Sequence, residues 1–79
     1  MKLIFAQAAW EDYLYWQQKD KRMVERINKL IKEVQREPFT GIGKPEPLKY
    51  ALAGYWSRRI NEEHRFVYKV ADGSLFIAQ

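Results

Sequence analysis

The stretch from Asp20 to Pro38 constrains the fold more than any other. Met23, Val24, Ile27, Leu30, Ile31 and Val34 recur at the three- and four-residue spacing of one helical face. Lys21, Arg22, Glu25, Arg26, Lys29, Lys32, Glu33 and Arg36 fill the opposite face. Asp20 is a good N-cap and Pro38 cannot continue a helix, so the helix starts after Asp20 and ends near Arg36 or Glu37. Upstream, Trp10, Tyr13 and Leu14 give an apolar face to a first helix over 8–18, with Trp16 at the edge of the core. The break at Lys19-Asp20 makes the two helices a hairpin. Lys2 to Phe5 reads as a short strand ahead of them. From Tyr50 onward the period changes to two. Segments 55–60, 65–70 and 74–79 alternate as strands, and Asp72-Gly73 is a two-residue hairpin turn. Two helices followed by a run of strands predict a single α+β domain over 1–79.

Composition narrows the function classes. The chain has no cysteine and one histidine, which excludes a disulfide framework, a cysteine metal site and a multi-histidine site within it. The net charge of +4 favours anionic partners such as RNA, DNA, the ribosome or an acidic protein. No apolar run approaches the ~20 residues that span a bilayer. The apolar start, Met1 to Phe5, is too short for a signal peptide, so a cytoplasmic protein without membrane attachment is expected.

Strand register places the charges. Phe66, Tyr68 and Val70 are one apolar set, and Trp56 and Ile60 are the matching set of the preceding strand. Bringing both onto one face requires the three-residue loop Asn61-Glu62-Glu63. Residue 60 then lies opposite 64, and Arg59 opposite Arg65 on the other face, with Ser57 and Val67 beside them. Two guanidinium groups placed so repel each other, and a bound phosphate would offset that. Two solvated arginines, or a shorter loop that separates them, account for the same residues. The Asp72-Gly73 turn pairs Val70 with Leu75 and Tyr68 with Ile77. By the same arithmetic residue 80 would face Arg65, and whatever follows Gln79 would emerge there.

Phe39 to Lys49 is the main loop, and within it Lys44-Pro45-Glu46-Pro47-Leu48-Lys49 is the second constellation. Each proline fixes its own φ and pushes the residue before it toward extended geometry, so Glu46 sits on a stiff segment between two lysines. A preorganised, ionised carboxylate suits a general base. A solvated surface loop would carry the same residues. His64 is by default an exposed hairpin-end residue, with a catalytic role open because Arg65 adjoins it. The basic face of the second helix is an ordinary solvated face or a stripe suited to an RNA backbone.

Taken together, Tyr13-Leu14-Tyr15-Trp16, Gly43-Lys44-Pro45-Glu46-Pro47-Leu48-Lys49, Trp56-Ser57-Arg58-Arg59-Ile60 and Glu62-Glu63-His64-Arg65 resemble the YoeB-type toxins of the RelE superfamily, from Met1 to Gln79. The resemblance implies a RelE-like, microbial-ribonuclease-like fold with two helices packed on a mostly antiparallel sheet of four to five strands. It implies a ribosome-dependent mRNA endonuclease that cuts in the A site of the 70S ribosome, with no cofactor or metal. Implied partners are a YefM-like antitoxin, operator DNA through the antitoxin complex, and a second copy in a homodimer. Among site residues it implies Glu46 as general base, Arg65 on the scissile phosphate with Arg59 in support, and Lys49 at the same place. Lys44 and Arg58 are expected to bind substrate beside them. The family's general acid is a histidine before a terminal tyrosine, a few residues past Gln79, and a molecule ending at Gln79 is expected to be impaired. Two other readings fit the same basic face: a non-catalytic RNA- or ribosome-binding module, and an antitoxin-bound co-repressor.

Overall fold

The computed structural model describes residues 1–79. Strand β1 (Lys2–Phe5) leads into helix α1 (Gln7–Lys19) and helix α2 (Lys21–Arg36). Asp20 alone separates the helices. Its N–H donates to the Trp16 carbonyl and closes α1, while its carboxylate accepts from the N–H groups of Arg22 and Met23 and caps α2.

Helix α2 buries Met23, Ile27, Leu30, Ile31 and Val34, with Val24 half-buried at the edge, close to the face that spacing predicts. Helix α1 departs from expectation. Its inward line is Ala9, Tyr13 and Trp16, whereas Trp10 and Leu14 remain exposed. Apolar residues surround much of α1, so spacing alone does not select a face. Small Ala9 lets the helix approach the sheet, and Trp10 stacks on Tyr13 instead, with its edge against Phe5.

The remaining strands are β2 (Glu46–Pro47), β3 (Trp56–Arg59), β4 (Arg65–Ala71) and β5 (Ser74–Ile77). They form a five-stranded sheet in the order β1-β5-β4-β3-β2, with β1 parallel to β5 and every other pair antiparallel. Phe66, Tyr68, Leu75 and Ile77 meet Ile27, Leu30, Ile31, Val34 and Ala9 in one core. The architecture is the two-helix, mostly antiparallel α+β fold expected above. No helix is long and apolar enough to cross a membrane.

The β3–β4 register is the expected one: Ser57 lies opposite Val67 and Arg59 opposite Arg65, and Ile60 donates to the His64 carbonyl at the end of the hairpin. The β4–β5 register also holds through Tyr68–Ile77. Beyond it Val67 donates to the Gln79 carbonyl but accepts from the Ala78 N–H. Two residues thus face one, a bulge that interrupts the regular ladder at the end of the β4–β5 pairing.

Two local features lay outside the expected pattern. Glu46-Pro47 joins the sheet as an edge strand, and Tyr50–Leu52 forms a 3-10 turn in the region assigned to strands. An edge strand tolerates proline because alternate N–H groups face outward. Leu48 donates inward to Tyr55, so Pro47 occupies an outward position.

Candidate active site

Strand alternation divides the side chains between two faces. Trp56, Arg58, Phe66, Tyr68, Leu75 and Ile77 turn toward the helices, while Ser57, Arg59, Arg65, Val67, Lys69 and Phe76 turn to the open face. The short pairing of β2 with β3 brings Glu46 opposite Ser57 and so onto the open face as well.

Glu46 Oε2 lies 3.5 Å from Arg65 Nη2. The pair is loose and largely exposed, with side-chain accessibilities of 65% and 39%, so it contributes little to stability and yields readily to an anion. Arg65 is held from beneath. Its Nε and Nη2 donate to Ser57 Oγ at 3.0 and 2.8 Å. Ser57 is buried, so it fixes the plane of the guanidinium and leaves the outer N–H groups directed away from the sheet. Arg59, exposed, is the cross-strand neighbour of Arg65. One carboxylate and two guanidinium groups therefore share a small area of the open face, with a buried hydroxyl between them.

The lysines lie at the two ends of the Glu46 segment. Lys44 follows Gly43, whose carbonyl accepts the Arg59 N–H at 2.7 Å, and Lys49 opens the 3-10 turn. Both are exposed, and neither takes part in an ion pair.

Arg58 requires a correction. It was expected to bind substrate, yet it is fully buried on the helix side. Its Nε donates to Tyr68 Oη, and its Nη groups donate to the carbonyls of Glu37, Thr40 and Ile42. Tyr68 Oη in turn donates to the Pro38 carbonyl at 2.7 Å. The guanidinium thus ties the segment after α2 to the sheet, immediately before the residues that carry Glu46. Its position was readable: Arg58 falls between Trp56 and Ile60 in the apolar set of its strand.

His64 packs on the helix side of the sheet, away from the face that carries Glu46 and Arg59. Its ring packs edge-on against Trp16 at 5.1 Å, and its N–H donates to Asn61 Oδ1 in the hairpin turn. It is half-buried rather than an exposed loop end, and its packing on α1 directs it away from Glu46. It lines a cleft of about 400 Å³ between α1 and the end of the sheet, with Phe5, Ile60, Arg65, Ile77 and Gln79. Glu46 and Arg59 lie outside that cleft. No cluster of three histidine, aspartate or glutamate side chains is placed to hold a metal ion. Sequence reasoning missed the role of Ser57, although the register had set it beside the two arginines.

Known proteins supply the context for this geometry. Residues 5–79 match the family model described as YoeB-like toxin of bacterial type II toxin–antitoxin system. Toxin YoeB of Escherichia coli K12 is 64% identical over 78 residues, covering 99% of this chain and 93% of that protein. A YoeB/ParE toxin from Agrobacterium tumefaciens superposes with a TM-score of 0.98 at 56% identity, covering 100% of this chain and 94% of that one. The Staphylococcus aureus YoeB, solved as a dimer and in a heterotetrameric complex with YefM, superposes in both at a TM-score of 0.95 and 52% identity, covering 100% of this chain and 92% of that one. The chain belongs to the YoeB-like toxins of bacterial type II toxin–antitoxin systems.

Proposed function

We propose that this toxin is a ribosome-dependent mRNA endonuclease whose reaction centre is Glu46, Arg65 and Arg59. The observation that carries the proposal is the 3.5 Å approach of Glu46 to an arginine that Ser57 already holds in place. RNA brings its own nucleophile in the 2′-hydroxyl. Glu46 takes the proton from that hydroxyl, and the oxygen attacks the adjacent phosphorus in line. The phosphate enters between Glu46 and Arg65, displacing their loose ion pair. Arg65, with Arg59, stabilises the negative charge that grows on the phosphorane-like transition state. The leaving 5′-oxygen must take up a proton, and the resemblance gives the donor's role to a histidine near the C-terminus of the family's toxins. Lys44 and Lys49 contribute to RNA binding. The products are a 2′,3′-cyclic phosphate and a 5′-hydroxyl.

The ribosome supplies the order that the mRNA needs for in-line attack. A YefM-type antitoxin neutralises the toxin by covering this open face, and the complex binds operator DNA. Cleavage on translating ribosomes, mapped by primer extension, tests the reading. Cuts within the A-site codon are expected from the toxin. Intact mRNA, or equally efficient cutting of naked RNA, would count against it.

A further inference from the structure

The open face continues past the reaction centre. Two residues along β4 from Arg65 comes Val67, and two further comes Lys69, half-exposed. Phe76 of β5 is its cross-strand partner, and the β3–β4 register carried one residue further sets Tyr55 on its other side. Lys69 Nζ lies 5.1 Å from the centre of the Tyr55 ring and 5.5 Å from that of Phe76. Two aromatic rings therefore hold one ammonium, and no carboxylate lies within ion-pair distance of it. The rings restrain the cation but accept no conventional hydrogen bond, which leaves its N–H donors free for an anion.

The surroundings indicate which anion. The strands present Lys2, Arg59, Arg65 and Lys69 on this face, and Glu46 is the one carboxylate among their open-face residues. Lys69 and Arg65 are four residues apart on one strand, roughly 13 Å at ~3.3 Å per residue. That span matches a couple of nucleotide steps along an extended strand. Ser57 and Val67, both buried, lie at the base of the face between the two cations.

We propose that Lys69, clasped by Tyr55 and Phe76, is a phosphate-binding subsite for the RNA strand leaving the reaction centre, contacting a backbone linkage a couple of nucleotides from the one that is cut. This rests on the ribonuclease reading above. The contact is to the backbone, so it adds affinity without base preference.

Binding of a 2′-O-methyl RNA oligonucleotide, which lacks the nucleophile and cannot be cut, tests the subsite in the full chain. Fluorescence anisotropy is measured over a range of salt concentrations. Lys69→Ala is expected to weaken binding about tenfold and to reduce the slope of log affinity against log salt by about 0.7, the value for one lost single-strand phosphate contact. Lys69→Gln keeps the stem over the rings and should show the same loss of slope if the alanine variant does not fold. Arg65→Ala serves as the reference. An unchanged slope in both Lys69 variants, with a loss in Arg65→Ala, overturns the subsite and leaves the ribonuclease reading standing. Unchanged slopes in all three variants overturn both. Loss of binding to an acidic peptide, with the RNA slope intact, would assign Lys69 to a protein partner and likewise overturn the proposal.

Discussion

In the proposed reaction Arg65 depends on Ser57 for its orientation. An arginine on an open sheet face samples many rotamers, and a hydroxyl accepting from both Nε and Nη2 removes most of that freedom before any ligand arrives. Ser57→Ala should therefore lower kcat by about tenfold with a smaller change in KM, because geometry at the reacting phosphate is what is lost. Arg65→Ala should cost on the order of 100-fold and Glu46→Gln ~100- to 10,000-fold in single-turnover cleavage on ribosomes. Arg65→Lys should recover little, since one ammonium cannot bond the serine and the phosphate in the planar arrangement that a guanidinium allows. At this scale much was legible in the sequence. Alternation of Phe66, Tyr68 and Val70 against Trp56 and Ile60 fixes the register, and the register sets Arg59 beside Arg65. Arg58 was misread because its charge was weighed over its place in that same alternation. No local rule announces a buried arginine satisfied by main-chain carbonyls.

The segment between α2 and β3 shows how an element without regular structure is made rigid. Arg58 and Tyr68 together bond the carbonyls of Glu37, Pro38, Thr40 and Ile42. Removing the guanidinium leaves three part-buried carbonyls without that donor, at about 1–3 kcal/mol each. Arg58→Met should cost about 3 kcal/mol of stability or more, read as a lower urea midpoint, and reduce cleavage even below the unfolding transition. Gly43 acts beside it. Its φ is +81°, and a Cβ there would meet Arg58 Cβ, the Arg59 carbonyl oxygen and Leu30 Cδ2, each at 3.1 Å. Gly43→Ala should thus disturb the approach to Glu46 as well as cost stability, read as a lower kcat in folded protein. Asp20→Ala removes the cap between the helices and should cost about 1 kcal/mol without affecting kcat. The elements themselves were legible where one periodicity dominates, as in α2 and β4. The inward face of α1 was not, because its apolar residues surround the helix and packing on the sheet makes the choice. Neither was β2, which is strand only because β3 offers it an edge.

The molecule as a whole is a small α+β scaffold with one face of its sheet covered by helices and the other left open. Its core is a single layer between two helices and a sheet, and a domain of this length has about 4–12 kcal/mol of stability to lose. Val34 is fully buried at the centre of that layer, and Val34→Ala should cost about 2 kcal/mol, visible as a fall in Tm with little change in ribosomal cleavage at low temperature. The helices cover one side of the sheet and leave the other to Glu46, Arg59, Arg65 and Lys69, so three cations and one carboxylate share the face where the proposed chemistry occurs. The end groups left on mRNA cut by translating ribosomes test the central claim most directly. The account predicts a 2′,3′-cyclic phosphate on the upstream fragment and a 5′-hydroxyl on the downstream one, both absent with Glu46→Gln. A 3′-hydroxyl paired with a 5′-phosphate would contradict attack by the RNA's own 2′-oxygen, and with it the role of Glu46 as the base.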